Sequence, residues 1–384
     1  MPANPSAAAN IPLTTGLGAA DFAAGPDFAV PFFAGDSVTR SLNRARLGSG
    51  PGISPDLLNR TAGELLSAVA VTELVRLAAG TLGLAGDAPD LLLAFNRTFE
   101  NSTTRPAALA IAQTIGRRLS ALLLTLHRGA PADRAARPDW NDDHWAFWAG
   151  VERVVIGGGL FSGTLGEAAV VATHDLLTAA TCPLVVERSP CGGAIALVGL
   201  ARHAPPDAAR MLLFDFGQTA VKRGLARYRD GTLTEVRNLP SLPAPDRGEI
   251  GETREATRQR WAAMRDRILA DWRALVPTEQ RPRTAIGLAL ATHLRDGHPF
   301  VTDHGPYSRL GILAPHLAMF VRDELAEALG PFRGLALLHD GLAAASTRAG
   351  EPRTVVLTLG TAIGAGYVPV GVGLRPMLVP VTNL

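Results

Sequence analysis

The sequence has little lysine, little cysteine and no block of basic residues. Of its 37 lysine and arginine residues only Lys222 is a lysine, and the formal net charge is only +2. Because the basic residues form no patch or stripe, nucleic acid is not expected as a partner. The cysteines, Cys182 and Cys191, do not have the spacing of a zinc motif, and two are too few to indicate a disulfide framework.

Signals for export and membrane insertion are also missing. Residues 1–13 (MPANPSAAANIPL) lack a basic start and a continuous apolar stretch, so no signal peptide is predicted. No apolar run stands out as long enough to cross a membrane. We therefore expect a cytoplasmic protein with no membrane partner. Its 384 residues, 47% of them hydrophobic, are enough for two domains.

Alternating strand and helix patterns indicate an α/β protein. Helical spacing covers 54–80, where Ser54 is a plausible N-cap, and also 105–129 and 164–179. Residues 204–210 (APPDAAR) indicate a linker. After this linker, 211–238 contains three strand patterns with an Asp-Gly turn, which predicts an antiparallel meander. Helices then alternate with short apolar strands up to residue 360, as in an α/β fold.

The stretch DFGQTAVK combines a carboxylate, a glycine turn and the lysine. A strand ends at Asp215, Gly217 lets backbone N–H groups approach an anion, and Gln218 and Thr219 complete the turn. Lys222 adds a compact charge that lacks the planar fork of arginine. Asp215 has the oxygen ligands that Mg²⁺ prefers. An ordinary hairpin with glycine in its turn is the alternative.

A second glycine-threonine turn lies in LTLGTAIGAGYV. Gly360 and Thr361 follow a strand, and Gly364 and Gly366 leave one face of the next strand without side chains. Facing the first turn, this hairpin would clamp a polyphosphate. The alternative is a tight β-turn in a packed sheet.

Further polar and glycine positions follow predicted strands. Asp340 lies where the strand GLALLH meets a helix, where a carboxylate can act as a general base or simply cap the helix. Gly157, Gly158 and Gly159 follow the strand RVVI and would accept an adenine ring or ribose, although a triple glycine alone is a weak signal.

Together these segments resemble the actin-like ATPase superfamily of sugar kinases, acetate kinase, Hsp70 and actin, and within it the ROK group of bacterial sugar kinases and repressors. DFGQTAVKRG is similar to the phosphate-1 motif DxGGTxxK. HDGLAAAS with VVLTLGTAIGAGYV is similar to a catalytic Asn-Asp pair followed by the phosphate-2 motif GTGxGxG, and VERVVIGGGL to the adenosine turn. The resemblance implies two ribonuclease-H-like domains around a nucleotide cleft, ATP and Mg²⁺ as cofactors, and phosphoryl transfer to a sugar hydroxyl with Asp340 as base.

The order of these segments differs from that of the family, because the adenosine turn precedes phosphate 1. We interpret this as a circular permutation. It predicts one domain from 1–205 with 352–384, and a second from 206–351. The last strand, near Val381, should then lie beside residues 1–200, and pairing solely within 206–351 would contradict the permutation.

Several positions depart from the family pattern. Gln218, His339 and Ala362 replace a glycine, an asparagine and a glycine of the motifs. Neither the ExGH sugar motif nor the CxCGxxGC zinc motif is present, so structural zinc is not expected and the acceptor stays unnamed. The candidate substrate contacts are Glu64, Asp296, Gly297, His298 and His339.

Other functions remain open, namely a non-catalytic sugar sensor, a degenerate ATP-binding regulator, and a phosphatase or acyl kinase of the same fold. No helix-turn-helix pattern occurs in residues 1–50, which argues against a DNA-binding sensor. The insertion at 131–149 offers Asp142, Asp143 and His144 for a metal, but its tryptophans favour packing on a helix or on the second subunit of a homodimer.

Overall fold

A computed structural model of the chain describes residues 13–14, 41–48, 53–245, 252–295, 297–299 and 305–382. The strands are β1 (Leu13–Thr14), β2 (Arg153–Gly157), β3 (Val185–Arg188), β4 (Arg210–Phe216), β5 (Ala220–Arg229), β6 (Thr232–Pro243), β7 (Thr284–Leu290), β8 (Leu294–Arg295), β9 (His298–Pro299), β10 (Leu335–His339), β11 (Thr354–Leu359), β12 (Ile363–Tyr367) and β13 (Met377–Thr382). The α-helices are α1 (Ala62–Leu66), α2 (Ala68–Leu77), α3 (Ala79–Leu82), α4 (Leu91–Arg97), α5 (Arg105–Arg128), α6 (Pro131–Ala135), α7 (Asp142–Ala149), α8 (Thr164–Ala179), α9 (Ile195–Ala201), α10 (Arg254–Leu275), α11 (Leu317–Leu329) and α12 (Asp340–Ala345).

The larger sheet has the strand order β1-β10-β7-β4-β5-β6-β13. Strands β4, β5 and β6 form the predicted antiparallel meander, while β7 and β10 run parallel to β4. Side chains alternate between its faces, as strand geometry requires. Phe214 and Phe216 pack on α10 and α11, whereas Met211 and Leu213 pack with α9 and α12.

The smaller sheet has the strand order β12-β11-β2-β3. Strand β11 is antiparallel to β12 and parallel to β2, which is parallel to β3. One face of this sheet contributes to a core shared with α5 and α8, and Val155 and Val356 on the other face pack with α9 and α12. Helices α9 and α12 therefore form a layer between the two sheets.

The two sheets share a pairing pattern. In each, a central strand forms a hairpin with the strand that follows it (β4–β5 and β11–β12) and has two parallel strands on its other side (β7 and β10, β2 and β3). A short apolar helix follows the outer parallel strand in both cases, α12 after β10 and α9 after β3. In the smaller sheet the hairpin comes last in the chain. This sheet therefore combines two strands that precede β4 in the sequence with two strands that follow β10.

Strands β11 and β12 pair with β2 and β3, which is the pairing expected if residues 352–384 lie with 1–205. Strand β13 instead pairs with β6 and β1 pairs with β10, so both belong to the larger sheet. Because β13 pairs within 206–351, the expectation for the strand near Val381 is wrong, and this pairing contradicts the predicted circular permutation.

The anchoring of Arg375 explains where β13 lies. The Arg375 side chain is buried, donates hydrogen bonds to the carbonyl oxygens of Pro206 and Ala208, and lies 4.8 Å from the centre of the Tyr228 ring. Its backbone N–H donates to the carbonyl of Arg202 over 2.7 Å. These contacts place β13, which begins two residues later, beside the edge of β6.

The aromatic insertion packs inside the protein, as the favoured interpretation predicts. Trp145 and Trp148 are buried in the core beneath α5, and Phe147 meets Tyr367 of β12 edge to face. The Nδ1 atom of His144 faces the side chain of Asn141, and Asp142 pairs with Arg134, so these polar groups have local partners.

Helix α5 is the one described helix long and apolar enough, by length and composition, to cross a membrane. No such stretch is expected from the sequence. Its apolar window has a mean hydropathy of 1.3 and is 61% buried within the protein. Gly116 lets α5 approach α8 closely, because a Cβ there would lie 2.6 Å from that of Ala172. The helix thus packs largely against the rest of the protein.

Candidate functional site

A cavity of about 330 Å³ lies where the carboxyl ends of strands from both sheets meet. The turn after β4, the turn after β11, the start of α12 and the glycines after β2 all line it. Ligand sites in α/β proteins commonly form at the carboxyl ends of parallel strands. Segments that are far apart in the sequence therefore meet at one place.

The first wall of the cavity carries the Asp215–Lys222 pair. These residues lie directly opposite each other in the β4–β5 ladder, and Nζ of Lys222 is 3.2 Å from Oδ2 of Asp215. Asp215 is only 5% exposed, and burial raises the pKa of its carboxyl group. The charge of Lys222 opposes this pKa shift, and the nearby carboxylate of Asp340 adds to it.

The first turn is held by backbone hydrogen bonds. The Gly217 N–H lies 3.0 Å from the carbonyl oxygen of Ala220, and the carbonyl of Gly217 accepts a hydrogen bond of 2.9 Å from the Tyr307 hydroxyl. Gln218 and Thr219 also line the cavity. The turn is thus rigidly attached to the larger sheet.

The second turn faces the first across the cavity. Gly360, Thr361 and Gly364 line the cavity wall. The hydroxyl of Thr361 lies 3.2 Å from that of Thr219, so the two turns touch. Gly366 does not line the cavity. A Cβ at Gly366 would overlap the carbonyl oxygen of Gly341, so this glycine lets β12 pack against α12.

Asn43 holds the second turn, and sequence reasoning missed it. Its amide Nδ2 donates to the carbonyl of Ile363 over 2.9 Å, and its Oδ1 accepts from the Ile363 N–H over 2.8 Å. The Ala68 N–H also donates to the carbonyl of Gly360 over 2.7 Å. Asn43 lies 320 residues from Ile363, so no local pattern could have revealed this clamp.

Asp340 faces the same cavity at the start of α12. Its Oδ1 accepts a hydrogen bond of 2.7 Å from the Gly341 N–H and lies 2.9 Å from Nε2 of His339. The imidazole of His339 stacks on that of His293 with ring centres 4.4 Å apart. Asp340, His339 and His293 all line the cavity. A carboxylate and two imidazoles therefore lie beside the two glycine-threonine turns.

The three glycines predicted to bind adenosine differ in their positions relative to the cavity. Gly158 and Gly159 line the cavity together with the apolar side chains of Ile195 and Ala196. Gly158 has a φ of +97°, and a Cβ there would overlap the backbone of Leu359, so only glycine fits. Gly157 lies just outside the lining, where a Cβ would stand 2.9 Å from Cδ1 of Ile195.

Most predicted substrate contacts lie elsewhere. Glu64 is a helix-capping residue, because its Oε2 accepts hydrogen bonds of 2.7 and 2.8 Å from the Thr61 N–H and hydroxyl. These bonds lower the pKa of its carboxyl group. Gly297 and His298 lie in the short β8–β9 region and do not line the cavity, and Asp296 lies outside the described residues. Of the proposed contacts, His339 alone is placed at the described cavity wall.

No protein-family model matches this chain, and no curated protein matches it. The similarity of its motifs to those of the ROK group therefore remains a prediction. The geometry adds that the segments carrying those motifs line one cavity. Within the described ranges, no group of three or more His, Cys, Asp or Glu side chains is arranged to hold a metal ion.

Proposed function

We propose that this protein transfers the γ-phosphoryl group of ATP to a hydroxyl group of a sugar or sugar derivative. One observation carries the proposal: two glycine-threonine turns, a lysine and a separate carboxylate, drawn from distant parts of the chain, line the same cavity. Phosphoryl transfer requires chiefly positioning and stabilisation of charge, which such a set can supply.

The arrangement of the sheets supports two related domains around a nucleotide site. Both sheets place a hairpin beside two parallel strands, and α9 and α12 occupy equivalent positions after the outer parallel strands. This shared pairing supports the two ribonuclease-H-like domains that the motif resemblance implies. In this proposal the β11–β12 hairpin completes the smaller sheet although it follows β10 in the chain, and β13 stays with the larger sheet.

ATP would lie with its phosphates between the two turns and its adenosine toward Gly158 and Gly159. The Gly217 and Gly360 N–H groups already donate to carbonyl oxygens within their turns. The hydroxyls of Thr219 and Thr361 and the ammonium group of Lys222 would therefore contact the phosphates. The buried Asp215 carboxylate would hold a magnesium ion directly or through water. Such an ion would neutralise charge on the phosphates as the γ-phosphoryl group is transferred.

Asp340 is the candidate general base. Oδ1 is engaged by the Gly341 N–H and by His339, and no described residue donates a hydrogen bond to Oδ2. Oδ2 would accept the proton of the acceptor hydroxyl while that oxygen forms a bond to the γ-phosphorus. The bond from the γ-phosphorus to the bridging oxygen breaks, and ADP leaves with its electron pair.

A coupled ADP-release screen over hexoses, amino sugars and N-acylated sugars tests this function. Wild-type protein should release ADP with one of these acceptors, and Asp340→Asn should reduce the rate ~10²–10⁴-fold, which is the usual contribution of a positioned base. Asp175→Asn is a matched control, because Asp175 is an exposed carboxylate on α8. ATP binding without acceptor-dependent ADP release would instead favour a regulatory ATP-binding protein.

A further inference from the structure

The imidazole of His339 has two close neighbours. It stacks on His293, with an interplanar angle of 28° and ring centres 4.4 Å apart. The backbone of Gly341 also lies close to it, because a Cβ at Gly341 would stand 2.6 Å from Cε1 of His339. A side chain at position 341 would therefore push this ring away, and glycine leaves room for it.

The fixed ring directs one nitrogen at Asp340. Nε2 of His339 is 2.9 Å from Oδ1 of Asp340, and the Gly341 N–H donates to the same oxygen over 2.7 Å. The Gly341 hydrogen bond and the imidazole contact both involve Oδ1, and neither involves Oδ2. The Asp340 side chain is also more exposed to the cavity than that of His339, at 27% against 16%.

We propose that His339 is a positioning residue for the reaction, holding Asp340 so that Oδ2 points toward the acceptor hydroxyl. This inference rests on the proposed function. In this arrangement Nε2 of His339 stays beside Oδ1 of Asp340, and His339 itself takes no proton from the acceptor. A fixed base at the correct distance accelerates proton transfer because the productive geometry is not lost to rotation.

Three variants separate positioning from a structural role. Removing the imidazole in His339→Ala should lower kcat ~10-fold or more, because a polar contact with a charged carboxylate contributes on the order of a tenfold effect. The KM for ATP should stay unchanged, since the two phosphate turns are not altered. His339→Gln should recover most of the rate, because the Gln amide nitrogen can reach the place of Nε2. In the Asp340→Asn background, His339→Ala should cost nothing further.

The controls distinguish this inference from the proposed function. His174→Ala changes an exposed histidine on α8 and should leave kcat at the wild-type value. Equal kcat for His339→Ala and wild type would overturn the positioning role while leaving the kinase function intact. The same conclusion would follow if His339→Ala caused equal losses in the wild-type background and in the Asp340→Asn background. If wild-type protein releases no ADP with any acceptor, the proposed function fails and the positioning role fails with it.

Discussion

At the scale of single residues, local spacing predicts contacts within a hairpin but not contacts between distant segments. Asp215 and Lys222 are seven residues apart on adjoining strands, so a tight turn places them opposite each other. Asn43 makes an equally specific contact with Ile363, yet no pattern near Asn43 predicts it. The motifs of the candidate site were therefore predictable from the sequence. The role of Asn43, which holds the second turn, was not.

Replacing Lys222 by arginine should impair the use of ATP although the charge is kept. The planar guanidinium group would pair with both oxygens of Asp215 and extend further into the cavity, where a phosphate should lie. We expect kcat/KM for ATP to fall ~10-fold or more, measured by coupled ADP release.

Arg227→Lys is the matched reverse exchange on the same strand, because Arg227 is 49% exposed and pairs with Glu235 away from the cavity. This variant should keep the wild-type kcat/KM. Normal ATP use by Lys222→Arg would show that the compact ammonium group is not required.

At the scale of elements, helices were predicted well where the apolar pattern is long, and poorly where tertiary contacts intervene. The helix predicted at 164–179 is Thr164–Ala179. The helix expected after Ser54 forms only a 3-10 turn, Pro55–Leu57, because Asn59 adopts a φ of +60° and its N–H bonds to the carbonyl of Leu47.

The following α-helix begins at the capping box of Thr61 and Glu64. The sequence TAGE carries this signal, since a threonine followed three residues later by glutamate is typical of a helix start. Glu64 was instead interpreted as a sugar contact. The structural meaning of this residue was thus present in the sequence.

The contact between α9 and α12 depends on Gly199. A Cβ at Gly199 would overlap the carbonyl oxygen of Ala343, so the helices would have to separate. We expect Gly199→Ala to lower the free energy of unfolding by about 1–3 kcal/mol, despite the higher helix propensity of alanine, because two packed helix backbones resist separation.

Gly80→Ala provides the control in urea unfolding. Gly80 lies in α3, and a Cβ there would meet nothing within 4 Å. Alanine at this position should be neutral or raise the free energy of unfolding by about 0.5–1 kcal/mol. An equally small effect of Gly199→Ala would contradict the close approach of α9 and α12.

His203 makes the same region sensitive to acid. It is fully buried after α9, its Nε2 lies 2.8 Å from the hydroxyl of Ser346, and burial lowers its pKa to about 3. In the unfolded chain the pKa is near 6.5. Between these values the unfolded state binds a proton that the folded state does not, so stability is present above pH 6.5 and is lost as the pH falls.

This linkage predicts a loss of about 1.4 kcal/mol of unfolding free energy per pH unit below pH 6.5. His203→Gln can keep a hydrogen bond to Ser346 but has no titrating group, so its advantage over wild type should grow by about 2 kcal/mol between pH 7 and pH 5. Urea unfolding at several pH values measures the difference. Parallel pH profiles for both proteins would show that His203 is not buried in its neutral form.

At the scale of the whole molecule, the sequence predicts which motif-bearing segments lie together but not which strand β13 pairs with. The motifs at β4, β11 and α12 each required a turn at the end of a strand, and strand ends of an α/β fold gather at one edge. The pairing of β13 with β6 depends instead on Arg375 holding the preceding residues against the linker. Such a long-range anchor has no signature in strand periodicity.

The contact between the two turns predicts that the sheets must separate to admit a nucleotide. Thr219 and Thr361 lie with their hydroxyl oxygens 3.2 Å apart, which leaves no room for a phosphate between them. In a background of Cys182→Ser and Cys191→Ala, the pair Thr219→Cys and Thr361→Cys should form a disulfide on oxidation, because bridged Cβ atoms need only approach to about 3.5–4.5 Å.

We expect the oxidised protein to lose ATP binding, measured by calorimetry, and the same sample to regain it after reduction. Each single cysteine variant should bind ATP equally well under oxidising and reducing conditions, which controls for the loss of the threonine hydroxyl. Undiminished binding to the cross-linked protein would mean that ATP does not enter between these turns. Loss of binding only on cross-linking would mean that the larger and smaller sheets move apart at this contact when ATP binds. The reduced and oxidised proteins contain the same side chains, so only the bond between positions 219 and 361 differs.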